Sequence, residues 1–374
     1  ETKMAGLLGK KRVYDLLRIA SYLHRGWNKL RSRSLGLKHS FEAYHVRLWQ
    51  ETAALLSVAL EEHPGGILKA SYNGRSTWIK DYLVECDSHV TLAVARNKPL
   101  VNRELAALGI PVPPFQIFGL DDFSAAIAFL NTHNACCVVK PALESAGGMG
   151  VTTYVRTRRE LIRAAIYASV YSPLVMIEKQ VFGDVYRLLY LNGELLDAIR
   201  RQPPGVTGDG RSTVRALVAA ENRRRSENPG AFDFKPLLID LDCRKTLDRQ
   251  NLTMKSVPGK GQWVTVKSTT NESAAKECEA VGKRIGDALK QECARAASAL
   301  GFRLAGIDVM TTDVGVSLHE SGGRIIEMNV CPGLHYHYQV RNDEDAVPVA
   351  IPILRHLLSI PNTGGAREKS MEGG

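Results

Sequence analysis

No stretch of this chain is apolar for the ~18–20 residues that a membrane-spanning helix needs, and no signal-peptide apolar segment opens it. Secretion and membrane spanning are therefore not expected, and a cytoplasmic setting is. Cys-x-x-C spacings, whether redox or metal-binding, are missing as well. Seven cysteines is an odd number; Cys136 and Cys137 are adjacent and the rest are scattered, so all read as reduced thiols of a cytosolic protein. The chain has no G-x-x-x-x-G-K-[ST] phosphate loop and no Ser-His or Cys-His motif of a nucleophilic enzyme. Internal repeats are absent, and low complexity is confined to a Gly-rich tail over residues 363–374.

What is present is ordinary globular material. Hydrophobic residues make up 44% and charged residues 24% of 374, which excludes a disordered chain and suits two or three domains or one large enzyme. A net charge of +10 points first to nucleic acid, but its distribution does not. Residues 1–38 hold ten Lys and Arg against two acids, so +8 of the +10 sits in an N-terminal arm and the remaining body is nearly neutral. In that arm Val13, Leu16, Leu17, Ala20, Leu23, Trp27 and Leu30 fall at helical spacing. A basic amphipathic helix results, docked on its own core or on a sister subunit in a homo-oligomer. Binding to an anionic surface, whether membrane, RNA or acidic substrate, is the competing use. No RRM- or KH-like motif supports nucleic acid.

Along the body, residues 41–61 read as a helix and Ile67 to Lys80 as a hairpin around Asn73-Gly74, a turn tolerant of positive φ. Residues 91–108 read as one helix, stopped by Gly109 and followed by Pro111, Pro113 and Pro114. Asp121 or Asp122 is placed to cap a helix ending near Leu130, and Thr157 to cap one over 158–170. Strands are expected at 136–141, 151–155, 174–180, 185–191 and 194–200, the last two joined at Asn192-Gly193, and near 304–311 and 324–330. A helix near 212–226 and a long helix over 272–300 complete the pattern. Helices alternate with antiparallel hairpins, so the predicted class is α+β rather than doubly wound.

Two segments carry chemistry. The first is the glycine-rich loop 144–150, which follows an apolar strand bearing Lys140. Its backbone N–H groups can approach phosphate oxygens closely, but it leads into a strand rather than a helix, so it is neither a Walker nor a Rossmann turn. The second is a carboxylate set near the C-terminus. Asp308 interrupts one apolar strand; Glu327 and Asn329 interrupt the next and share one of its faces, opposite Ile326 and Met328. Two carboxylates and an amide oxygen are hard ligands suited to Mg²⁺ held between protein and phosphates; a surface-facing strand edge is the competing account.

In this order the segments resemble the ATP-grasp family, and within it the cyanophycin-synthetase type and related free-standing amino-acid and peptide ligases. Residues 95–103 with the Gly109-Ile110-Pro111 turn are similar to the family's first helix and turn. Val139-Lys140-Pro141 with Gly147-Gly148-Met149-Gly150 is similar to its lysine strand and glycine loop, and Ile177-Glu178-Lys179 to its adenine hinge. Arg187-Leu188-Leu189, then Arg200-Arg201-Gln202-Pro203 up to Gly208-Asp209-Gly210, resemble the cyanophycin-type phosphate strands and loop. Gly306-Ile307-Asp308-Val309 and 326–334 resemble the metal segment.

The resemblance implies an α+β ATP-grasp fold, in which a basic helical arm (1–38) precedes a preATP-grasp-like region (39–95). A lid with the glycine loop (96–182), a central part with the metal site (183–362) and a flexible tail (363–374) follow. It implies ATP and Mg²⁺ as cofactors. Lys98, Lys140 and the glycines Gly147, Gly148 and Gly150 would meet the phosphates; Glu178, with the backbone of Lys179 and Val181, would hold adenine. Asp184 is the implied ribose ligand, although many relatives place that acid one residue later, where Val185 stands. Arg187, Arg200 and Arg201 would face the γ-phosphate or an acyl-phosphate. Asp308, Glu327 and Asn329 would bind one or two Mg²⁺, and Gly333 would face the acyl substrate.

The implied activity is ligation of a carboxylate to an amine on amino acids or a short peptide, through an acyl-phosphate. The Mur-ligase-like domain of cyanophycin synthetase is not found here, so two-step polymerisation is not implied. His335 and His337, in the segment His335-Tyr336-His337-Tyr338, are expected to line the acyl or amine pocket as alternate members, one accepting the amine proton; a packed aromatic strand or turn end is the competing account. A nucleic-acid or membrane-surface binder acting through the arm, and an ATP-grasp enzyme of other chemistry, are the alternative functions.

Overall fold

The computed structural model describes residue 19 and residues 37–133, 136–143, 148–227 and 236–361. The basic arm up to residue 36, apart from Ile19, Gly147 and the tail lie outside the described residues. No helix among them is long and apolar enough to cross a membrane. The fold class is α+β, as expected.

The N-terminal region is the helix Leu37–Leu55 followed by a four-stranded antiparallel meander, β1 (Ala59–His63), β2 (Ile67–Tyr72), β3 (Arg75–Lys80) and β4 (Leu83–Val84). The expected helix 41–61 ends six residues early, because 59–63 pairs with β2 instead. The β2–β3 hairpin turns at Asn73 and Gly74, both at positive φ (47° and 77°). Period-2 alternation points Leu68, Ala70 and Ile79 inward, against Trp49 of the first helix and Ile353 and Leu354 of the C-terminal helix Ala350–Leu358.

The expected helix 91–108 is two helices, His89–Ala95 and Lys98–Ala107. Asn97 caps the second by accepting from the Leu100 N–H at 3.2 Å. Pro99, which has no N–H to give, sits in the first turn where none is needed. A second sheet follows, ordered β5 (Phe115–Phe118), β8 (Val175–Lys179), β6 (Cys137–Pro141) and β7 (Thr152–Val155). Helices Ser124–His133 and Arg158–Ser169 cover it, the latter opened by a Thr157/Glu160 capping box.

The central sheet runs β13 (Cys278–Ala280), β10 (Glu194–Arg201), β9 (Asp184–Leu191), β14 (Leu304–Thr311) and β15 (Arg324–Val330), all antiparallel. The long helix expected over 272–300 is only Asp287–Ala299. Residues 278–280 are instead edge strand β13, a 3₁₀ turn spans Gly282–Arg284, and Gly286 precedes the helix where a Cβ would lie 2.0 Å from the Gly315 carbonyl oxygen. Leu289, Cys293, Ala296 and Ala297 of that helix bury the back of the sheet, against Leu188, Tyr190, Ile307 and Val309. Between β10 and β13 the chain leaves the sheet to build a smaller unit. There β11 (Gly205–Thr207) pairs with β12 (Trp263–Thr265), and helices Val214–Glu227 and Leu241–Asp248 close over a core of their own.

Candidate active site

Register decides which polar side chains meet. Asp308 of β14 lies directly opposite Arg187 of β9 on one side and Glu327 of β15 on the other, and Gly306 lies opposite Asn329. Residues opposite one another in a ladder share a face, so Arg187, Asp308, Glu327 and Asn329 all stand on the front of the sheet, away from the helix that buries its back. A β-bulge follows: the register slips between Asp308 and Val309 and leaves Ile326 unpaired. The Ile326 carbonyl accepts from Lys140 Nζ at 3.4 Å, which ties the second sheet to the central one.

Three of the cations gathered here stand against carboxylates. Arg187 donates from Nε and Nη2 to the two oxygens of Asp308 at 2.5 and 2.6 Å, a buried bidentate pair. Lys140 stands 2.8 Å from Glu178, both buried, and Lys98 stands 3.5 Å from Glu327. Burial pushes the Glu178 carboxyl up, against the pull of Lys140. Burial likewise draws the Lys98 ammonium down, opposed by Glu327. Asp308, Glu327 and Asn329 offer hard oxygens on one face, and among the described residues no cluster of three or more His, Cys, Asp or Glu accompanies them. That donor set fits a Mg²⁺ whose remaining ligands are phosphate oxygens and water, since Mg²⁺ is ordinarily bound through one or two carboxylates.

Glu178 and Lys179 end β8, and the Lys179 N–H donates to the Pro114 carbonyl at 3.0 Å. Val181, half-buried, and exposed Gly183 then lead into β9. Gly148 and Gly150 take positive φ (70° and 79°), and a Cβ on Gly148 would collide with the Asn271 side chain, so the glycine turn rests on the segment after β12. Gly147 is not described.

The arginine pair separates. Arg200 and Arg201 are consecutive in β10, so they emerge on opposite faces. Arg201 is opposite Val185 and on the front; Arg200 is on the back, 3.1 Å from Asp184 and 3.4 Å from Glu279. Asp184 and Arg200 thus answer each other away from the Asp308 face. The segment after β15 also departs from expectation. Cys331 takes φ 54°, Gly333 precedes a 3₁₀ turn over Leu334–His337, and strand alternation does not apply there. His337 is fully buried with Nδ1 2.7 Å from Asp197 Oδ2, and His335 is buried against Phe41 and His45, ring centroids 5.5 Å from each. Both are packed among neighbours, in the manner of the competing account of this segment. Tyr336 is the member that faces the arginines, its ring centroid 4.4 Å from the Arg201 guanidinium carbon and 6.0 Å from that of Arg187. A pattern read as turn rather than strand would have singled it out.

The chain matches no family model. It is 31% identical over 247 residues to cyanophycin synthetase of Nostoc sp. (strain PCC 7120), covering 65% of this chain and 27% of that protein. It is 30% identical over 297 residues to the glutathione biosynthesis bifunctional protein GshAB of Enterococcus faecalis, covering 75% of this chain and 38% of that one. The chain therefore spans well under half the length of these curated relatives. Among solved structures, a bifunctional glutathione synthetase from Pasteurella multocida has the same fold over 81% of this chain and 41% of its own, at a TM-score of 0.52 and 21% identity. Kinship in sequence and likeness in fold agree: the chain belongs to the ATP-grasp family.

Proposed function

We propose that this chain is an ATP-dependent carboxylate–amine ligase that joins amino acids or a short peptide, releasing ADP and phosphate. The observation that carries the reading is the front face of the central sheet. There Asp308 and Glu327 sit side by side within reach of Arg187, Lys98 and Lys140. Such a face serves phosphoryl transfer, where catalysis consists of neutralising and orienting charge rather than of a protein nucleophile.

In this reading ATP supplies the phosphoryl group that activates the substrate carboxylate, and Mg²⁺ bound by Asp308, Glu327 and Asn329 offsets phosphate charge. Lys98 and Lys140 bind phosphate oxygens from the side of the second sheet. Glu178 and the backbone at Lys179 and Val181 orient the base, and the Gly148–Gly150 turn excludes water above the phosphates. Arg187 and Arg201 hold the anionic oxygens of the group being transferred. Arg200 and Asp184, on the opposite face, have a structural part. Residues 39–95, 96–182 and 183–362 serve as N-terminal, lid and central parts, with residues 1–38 as a subunit contact and the cytoplasm as the setting.

A phosphate-release screen over amino acids and dipeptides, with mass spectrometry of the products, tests this. Phosphate release that depends on both a carboxylate and an amine, with an amide product, is expected. ADP without an amide assigns a different ATP-grasp chemistry. Deleting residues 1–38 should leave ADP release intact; loss of all function on that deletion favours a surface binder instead.

A further inference from the structure

Buried cations are ordinarily matched by buried anions, because an uncompensated charge in a protein interior is costly. Lys140, Arg187, Arg225 and Lys267 are buried, and each has a carboxylate within 4.0 Å. Arg201, only 2% exposed, has none among the described residues. Its Nη2 donates to the Thr270 carbonyl at 2.5 Å, and its Nε is buried with no hydrogen-bond partner. Against it lies the face of Tyr336, at 4.4 Å.

The ring is itself held firmly. Pro332 is lodged against Gly306, where a Cβ would come within 2.6 Å of the Pro332 Cβ. A Cβ on Gly333 would meet the His335 ring at 2.7 Å and Tyr336 at 3.4 Å. His335, 4.1 Å from Tyr336 between ring centroids, is packed in turn on the first helix.

We infer that Tyr336 is the positioning residue of Arg201, holding its guanidinium by the ring face as the receptor for an anionic oxygen group, either phosphoryl or carboxylate. The inference rests on the ligase reading for the identity of that group, but not for the geometry. Attraction between a guanidinium and an aromatic face grows as water is excluded, and it needs the ring rather than the hydroxyl. A carboxylate partner would offset the Arg201 charge; a ring fixes the cation and leaves that charge uncompensated.

The experiment uses the full chain with Mg²⁺ and compares affinity for a non-hydrolysable ATP analogue with affinity for ADP, in wild type, Tyr336→Leu and Tyr336→Phe. Tyr336→Leu should lower the analogue-to-ADP affinity ratio about tenfold, which is about 1.4 kcal/mol. Tyr336→Phe should stay within about threefold of wild type. Tyr336→Met replaces the Leu variant if that one fails to fold. Damage in Tyr336→Leu to neither the analogue-to-ADP ratio nor the acetate-induced rise in melting temperature, or equal damage from Phe and Leu, overturns the inference.

A wild-type chain that binds neither nucleotide refutes the ligase reading. The subsite is then read on the nucleotide-free protein by the rise in melting temperature with inorganic phosphate and, separately, with acetate. A rise with phosphate alone assigns a phosphoryl receptor, and a rise with acetate a carboxylate receptor. Either must vanish in Tyr336→Leu and persist in Tyr336→Phe. No rise with either anion in wild type also overturns the inference.

Discussion

Replacing Lys140 by Met removes the cation from a pair buried where the two sheets meet. The ammonium is 2.8 Å from Glu178, with the two side chains only 8% and 6% exposed. Burial already raises the Glu178 carboxyl, and the Lys140 charge is the first influence opposing that rise. Without the lysine the carboxylate is left unmatched in the interior, a loss that costs about 3–5 kcal/mol.

One escape is open to the folded chain: Glu178 can take up a proton. Between the ordinary carboxyl value of about 4.3 and the raised native value, the folded state then holds a proton that the unfolded state lacks. Unfolding free energy therefore falls as pH rises through that window. Lys140→Met should thus be weakened most at pH 8 and least near pH 5. Adding Glu178→Leu removes the orphaned charge. The double variant should recover most of the loss, because an apolar pair of similar volume replaces a buried ion pair at little cost or with a gain. ADP formation should be lost in both. Urea unfolding of wild type, single and double variants at pH 5, 7 and 8 provides the measurement. A double variant no more stable than the single one, or a single-variant deficit equal at pH 5 and pH 8, would refute the reasoning.

Two further outcomes follow from the central sheet. Glu327→Gln should abolish ADP formation, by about a hundredfold or more, in line with the loss of one charge-stabilising group. Its urea midpoint should hardly move, because the Glu327 side chain is 26% exposed and its partner Lys98 is 3.5 Å away; near wild-type turnover would remove Glu327 from the site. Gly306→Ala would place a Cβ 2.6 Å from Pro332 and 3.3 Å from the Arg187 side chain. Overpacking of that kind costs about 1–3 kcal/mol, so the melting temperature should fall, and an unchanged value would mean that the turn after β15 yields easily.

Strands were the most legible part of the sequence. Leu304–Thr311 and Arg324–Val330 stand where alternation and the punctuating glycines put them, and the Asn73-Gly74 and Asn192-Gly193 turns are both hairpins with positive φ. Helix lengths were less legible, because apolar spacing continues across a cap: the break at Asn97 is marked only by its cap and Pro99, and the strand inside 272–300 depends on its pairing with β10. At the site, the sequence pattern places Glu327 and Asn329 on one face. The Ile326 bulge that sets Glu327 opposite Asp308 is a property of the partner strand and leaves no local mark. The opposite facing of Arg200 and Arg201 was implicit in strand alternation all along. Strand alternation does not carry into the 3₁₀ turn Leu334–His337, where Tyr336 rather than either histidine comes to the arginines.

The small unit between β10 and β13 has a core closed on itself, built from Val206, Val214, Val218, Leu247, Val264 and their neighbours. Its attachments to the glycine-turn sheet and to β10 are polar: Thr153 to Ser268, Lys245 to Glu160, the Arg249 guanidinium over Tyr154, and Arg201 to Thr270. Polar links are individually weaker than a private apolar core, which melts or survives as a block. The unit should therefore behave as a separate cooperative element. Its amides should exchange with solvent on a different schedule from those of β9 and β14. Parting at Thr270 would also release the Arg201 Nη2 from its carbonyl partner, so that loosening of this unit would expose the guanidinium.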